Sequence, residues 1–84
     1  MKYALHDQVL FALLVLPEDQ LRALVARFDA IAAAPLQHAQ AAFQDAEGRD
    51  CYACMVGRLR IYYHVAKNGL VTFVDLRHGS RRVS

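Results

Sequence analysis

The chain has 84 residues and a mass of 9.4 kDa, enough for a single domain spanning residues 1–84. At that size a fold buries only about 60–65% of its unfolded surface, so the core is thin. Hydrophobic residues at 56% and charged residues at 21% exclude a disordered or collagen-like chain. A net charge of +2 is too small to imply nucleic-acid binding by its total alone. Two cysteines, Cys51 and Cys54, are too few for a disulfide framework, which makes a reducing cytoplasm the expected location.

Taken in chain order, Lys2–Leu5 reads as a short first strand. Asp7 is placed to cap a helix reaching about Leu16, with Pro17 ending it. The apolar run from Val9 to Leu16 is far shorter than the ~20 residues needed to span a bilayer, so no membrane association is expected. Its flanks, Asp7 and Pro17-Glu18-Asp19, do not fit a signal peptide. The run therefore reads as a helix that is buried or covered by a partner, with Val9, Phe11, Leu13 and Leu16 as candidate partner contacts. A second helix begins at Pro17 and carries one apolar stripe, Leu21, Leu24, Val25, Phe28 and Ile31. Pro35 closes it, and the shared proline boundary predicts an antiparallel helical hairpin.

Leu36–Asp45 is rich in alanine and glutamine and reads as an irregular or short helical connection, with Leu36 and Phe43 its large apolar residues. Glu47-Gly48-Arg49-Asp50 is a turn signal, after which the period becomes strand-like. Cys51–Val56, Leu59–Ala66 and Leu70–Arg77 read as three strands. Gly57 turns the first pair, and Asn68-Gly69 predicts a two-residue turn between the second. The expected fold is α+β: an N-terminal strand and a helical hairpin on one face of a three- to four-stranded, mainly antiparallel sheet.

A two-residue turn at Asn68-Gly69 fixes a cross-strand register. Ile61 would face Leu76, Tyr63 face Val74 and Val65 face Thr72 on the helix side. On the open side Arg60 would face Arg77, Tyr62 face Asp75 and His64 face Phe73, with Arg58 two residues before Arg60. Like charges directly across a ladder are destabilising, and such violations concentrate at functional sites. Guanidinium groups in pairs suit phosphate or carboxylate. The alternative is that Asp75 neutralises both arginines on an ordinary solvated face. Arg81 and Arg82 in the closing segment extend the same patch, so Arg58, Arg60, Tyr62, His64, Arg77, Arg81 and Arg82 form the candidate binding set. Cys51-Tyr52-Ala53-Cys54 has redox spacing, but on a strand the two thiols point to opposite faces. No second Cys/His pair with matching spacing accompanies it, and no phosphate-cradling loop or nucleophile elbow occurs, so neither metal nor cofactor is expected.

The element order, the proline-bounded hairpin ending in Ala32-Ala33-Ala34-Pro35, the strand Val56-Gly57-Arg58-Leu59-Arg60-Ile61-Tyr62-Tyr63 and the ending Val74-Asp75-Leu76-Arg77-His78-Gly79-Ser80-Arg81 together resemble the RelE/ParE superfamily of toxins from type II toxin–antitoxin pairs. His78-Gly79-x-Arg81 is similar to the closing motif of the ParE-like branch, linked to plasmid stabilisation and gyrase poisoning. The resemblance implies a toxin held by a cognate antitoxin and acting on an essential target such as DNA gyrase. A second implied reading is a ribosome-dependent mRNA endonuclease with Arg60, Arg77, His78 and Arg81 as catalytic groups. The chain departs from that branch by having Ala53, Met55, Gly79 and Val83 where basic groups and a tyrosine are usual. A third is a catalytically silent relative serving as a binding or repressor subunit. Homodimerisation through the first helix competes with antitoxin binding there.

Overall fold

The computed structural model describes residues 3–78, and the two prolines set its helical part. Strand β1 (Tyr3–Leu5) leads into helices α1 (Asp7–Leu14), α2 (Glu18–Ala33) and α3 (Pro35–His38). Pro17 is the residue just outside α2, where its missing N–H is no loss and its carbonyl accepts the Leu21 N–H at 2.9 Å. The cap of α1 is His6, not Asp7: its Nδ1 accepts the Gln8 N–H at 3.5 Å, and Asp7 sits in the first turn. Its last turn closes early, with the Leu16 N–H on the Leu13 carbonyl at 3.2 Å, so α1 stops at Leu14 rather than Leu16.

Four strands follow: β2 (Ala41–Gln44), β3 (Asp50–Val56), β4 (Leu59–Val65) and β5 (Val71–His78). They form a five-stranded sheet in the order β1-β5-β4-β3-β2, antiparallel except where β1 lies parallel to β5. β2 falls inside the segment that the sequence reading assigned to an irregular connection. Its alanines carry no strand preference; pairing with β3, Ala41 to Ala53 through Gln44 to Asp50, makes it a strand.

The helices cover one face. Val9 of α1 and Leu24, Phe28 and Ile31 of α2 meet Cys54, Ile61, Tyr63, Val71 and Phe73 of the sheet in the buried cluster. Phe28 stacks on Phe73 with ring centroids 4.2 Å apart, and Tyr3 sets its ring at a steep angle against both. Tyr63 donates its hydroxyl to the Pro35 carbonyl at 2.6 Å, tying the end of the helical hairpin to the middle of the sheet.

The β4–β5 hairpin departs from the predicted register. Ala66 N–H bonds the Leu70 carbonyl and Gly69 N–H bonds the Ala66 carbonyl, both at 2.9 Å, which leaves a three-residue loop, Lys67-Asn68-Gly69. Gly69 occupies its left-handed position at φ +92°. The pairs nearest the loop are therefore Val65–Val71, His64–Thr72 and Tyr63–Phe73, one residue away from the expected ones. A register shift between Tyr62 and Tyr63 then inserts Val74 as an unpaired residue of β5. Beyond it Tyr62–Asp75, Ile61–Leu76 and Arg60–Arg77 pair as the sequence predicts.

Burial pushes the Tyr63 hydroxyl up to about 12 from an ordinary value of 10.0. A raised folded-state pKa means that the contribution of this group is complete below the unfolded value and is lost as pH climbs towards the folded one. Urea unfolding should therefore show wild-type stability declining between about pH 10 and 12. Tyr63→Phe should cost about 1–2 kcal/mol at pH 7, because the Pro35 carbonyl loses its donor, and should have a shallower alkaline decline.

Candidate target-binding face

The face of the sheet away from the helices is built by alternation along four strands. Cys51, Ala53 and Met55 on β3 lie opposite His64, Tyr62 and Arg60 on β4, and Phe43 on β2 lies opposite Cys51. Past the bulge, Asp75 and Arg77 of β5 complete it. Small residues on β2 and β3 leave this face hollow. An open cleft of about 420 Å³ runs past Ala41, Ala53, Met55 and Arg60. A second, of about 340 Å³, lies beside Phe43, Tyr62, Asp75 and Arg77.

Arg60 and Arg77 are direct cross-strand partners, and both are exposed. The repulsion between them is offset on one side only. Arg77 Nε lies 2.6 Å from Asp75 Oδ2, and its guanidinium carbon stands 5.8 Å from the centre of the Tyr62 ring. Phe43 meets the Tyr62 ring edge-on, with centroids 5.9 Å apart. Phe43, Tyr62, Arg77 and Asp75 thus form a chain of contacts. Arg60 makes no ion pair among the described residues, so it is the cation this face offers to a ligand. At the far wall the Arg49 backbone N–H, followed by its guanidinium, holds the Asp45 carboxyl below its usual range. Asp45 in turn caps the Glu47 and Arg49 N–H groups of the β2–β3 loop at 3.0 and 2.9 Å.

The structure divides the residues singled out in the sequence. Arg60, Tyr62 and Arg77 come together. His64 shares their face but lies four residues along β4 from Arg60, roughly 13 Å between Cα atoms. Arg58 is not on this face. It occupies the second position of the two-residue β3–β4 turn, after Gly57 at φ +60°, and lines a separate groove of about 440 Å³ with Ala23, Leu24 and His78. His78 pairs with Leu59, whose side chain packs against the core, so it too belongs to the helix side. Arg81 and Arg82 lie outside the described residues.

The predicted partner surface is also corrected. Val9 is completely buried, and Leu13 and Leu16 pack against the core; of the four residues only Phe11 is freely exposed, at 69%. The exposed apolar row is instead Leu10, Phe11, Leu14 and Val15. Cys51 and Cys54 lie on opposite faces of β3, both buried, and burial raises both thiols above their ordinary value. Two members of the site had no sequence signal. Phe43 sits in the strand read as a connection, and Gln8 reaches the face from α1 by donating its side-chain amide to the Val74 carbonyl.

The described residues thus set helices on one side of a mixed sheet and an open face bearing Arg60 and Arg77 on the other. The chain belongs to the ParE toxin family: the family described as ParE toxin of type II toxin–antitoxin system, parDE, matches residues 6–83. Among solved structures, the crystal structure of the archaeal RelE–RelB complex from Pyrococcus horikoshii OT3 is similar in fold, with a TM-score of 0.79 and 24% identity over 98% of this chain and 100% of that one. No curated protein matches the chain. No helix among the described residues is long and apolar enough to cross a membrane.

The unequal engagement of the two arginines has a measurable consequence. In salt titrations against a short single-stranded oligonucleotide as a generic polyanion, Arg60→Ala should weaken binding and lower the salt slope by about 0.7. Asp75→Asn takes a negative charge off the face and should strengthen binding of this generic polyanion through electrostatics alone.

Proposed function

We propose that the protein inhibits an essential target, DNA gyrase being the leading one, by docking the Arg60–Tyr62–Arg77 face on it in the cytoplasm. In this reading a cognate antitoxin holds the protein silent. The carrying observation is that the two cross-strand arginines share an open face with aromatic rings, while of the proton-transfer candidates Tyr62, His64 and His78 only Tyr62 lies beside them. His64 lies roughly 13 Å from Arg60, and His78 is on the other side of the sheet. General acid–base cleavage of a phosphodiester needs such groups within hydrogen-bond reach of one scissile bond. Docking on a protein or nucleoprotein target does not. The ParE family match over residues 6–83 supports the toxin role within this reading.

The antitoxin is expected to cover the row Leu10, Phe11, Leu14 and Val15, an apolar strip exposed on α1 and its C-cap. Sedimentation of the isolated chain should give a monomer that forms a complex with the antitoxin, and Leu14→Glu should abolish the complex without unfolding the protein. A concentration-dependent dimer lost in the same variant would assign the strip to self-association instead.

Expression without antitoxin should arrest growth, and the purified protein should inhibit gyrase supercoiling. Arg60→Ala combined with Arg77→Ala should raise the inhibitory concentration at least tenfold, a loss of about 1.4 kcal/mol. Unimpaired supercoiling together with mapped cuts in ribosome-bound message would replace this reading with endonuclease activity. Absence of both toxicity and cuts, with tight antitoxin binding retained, would identify a silent relative acting as a binding or repressor subunit.

A further inference from the structure

Left to its turn, the β4–β5 ladder would carry the wrong residues to the open face. The three-residue loop sets pairs Val65–Val71, His64–Thr72 and Tyr63–Phe73. Continued without interruption, that register would set Arg60 against Leu76 and bring Arg77 opposite Leu59, on the helix side of the sheet. Asp75 would move with it, and the Asp75–Arg77 pair would face the core instead of Tyr62. Insertion of Val74 prevents this, and the bulge is clamped from outside the hairpin. The His6 N–H donates to the Phe73 carbonyl at 2.9 Å, closing the junction where β1 pairs with β5. One residue further, the Val74 carbonyl accepts the side-chain amide of Gln8. Gln8 is itself exposed and lines the same cleft as Tyr62, Asp75 and Arg77.

We propose that Gln8 is a positioning residue for the basic face. Its amide holds the carbonyl of the bulged residue and so keeps Asp75 and Arg77 turned outward in contact with Tyr62. The inference deepens the proposed docking function and rests on that reading for its effect on the target. The structural part stands apart from it. Because the Gln8 side chain is exposed and fills no part of the core, replacing it removes a hydrogen bond without opening a cavity.

The test compares Gln8→Ala with Gln8→Glu, which keeps the shape but replaces the donor by a carboxylate that repels the carbonyl. Both variants should remain folded by near-ultraviolet circular dichroism; should the charged variant unfold, the alanine variant carries the test. In NMR spectra of the isolated protein the Arg77 Nε–H, bonded to Asp75 at 2.6 Å in the wild type, should lose its exchange protection. The Tyr62 ring resonances should move towards those of a free tyrosine. Growth inhibition should weaken about tenfold, the scale of one lost hydrogen bond. Unchanged Arg77 Nε–H protection and unchanged Tyr62 shifts in folded variants would overturn the proposal. If those signals move while Arg60→Ala leaves inhibition intact, the positioning role holds and the functional reading is the part that fails.

Discussion

One unpaired residue, Val74, decides which side of the sheet receives the charges at the end of β5. Side chains alternate along a strand with a period of two, so a displacement of one residue moves an entire set from one face to the other. The loop at Lys67-Asn68-Gly69 imposes a pairing that suits Tyr63 and Phe73, which must meet Phe28 in the core. The far end of the same hairpin has a different demand, because Leu76 must face inward and Arg77 outward. The bulge satisfies both. It separates the hairpin into a half whose register serves packing and a half whose register serves the exposed face. The anchoring groups come from His6 and Gln8 at the start of α1, which ties the segment from Tyr3 to Leu10 to β5.

The consequence is a division of the basic residues into two places. Arg60 and Arg77 lie together with Tyr62 and Phe43 on the hollow face, with Asp75 attached to Arg77. Arg58 and His78 lie beside Ala23 and Leu24 at the rim of the helical layer. One ligand small enough to sit in either cleft cannot bridge both, because the sheet lies between them. Cys51 and Cys54 are buried on opposite sides of β3, and burial disfavours the thiolate of each.

Much of this arrangement is legible in the sequence because it is local. The apolar spacing Leu24, Phe28, Ile31 gives the buried stripe of α2, and Pro17 and Pro35 mark its ends within one or two residues. Gly57 and Gly69 mark the hairpins. The residues that the sequence conceals owe their positions to distant partners. Ala41–Gln44 is a strand only because β3 is beside it, and Phe43 becomes a site residue only through that pairing. Asn68-Gly69 suggests a two-residue turn, and the choice of a three-residue loop is made by the core positions of Val71 and Phe73. The Gln8 contact spans 66 positions in the chain, beyond any local pattern. The offset that pairs Arg60 with Arg77 holds beyond the bulge and fails between it and the loop. On α1 the helical run is visible in the sequence, but the face it buries depends on the angle at which it crosses the sheet, and Val9 is inside.

The change of register at Val74 places the charges of β5, and cross-strand backbone NOEs in the isolated protein read it without reference to function. They should connect Tyr63 with Phe73 near the loop and, beyond Val74, Tyr62 with Asp75 and Arg60 with Arg77. A ladder that instead runs without a break, linking Arg60 to Leu76 and Leu59 to Arg77, would place the second guanidinium among the helices and contradict the account.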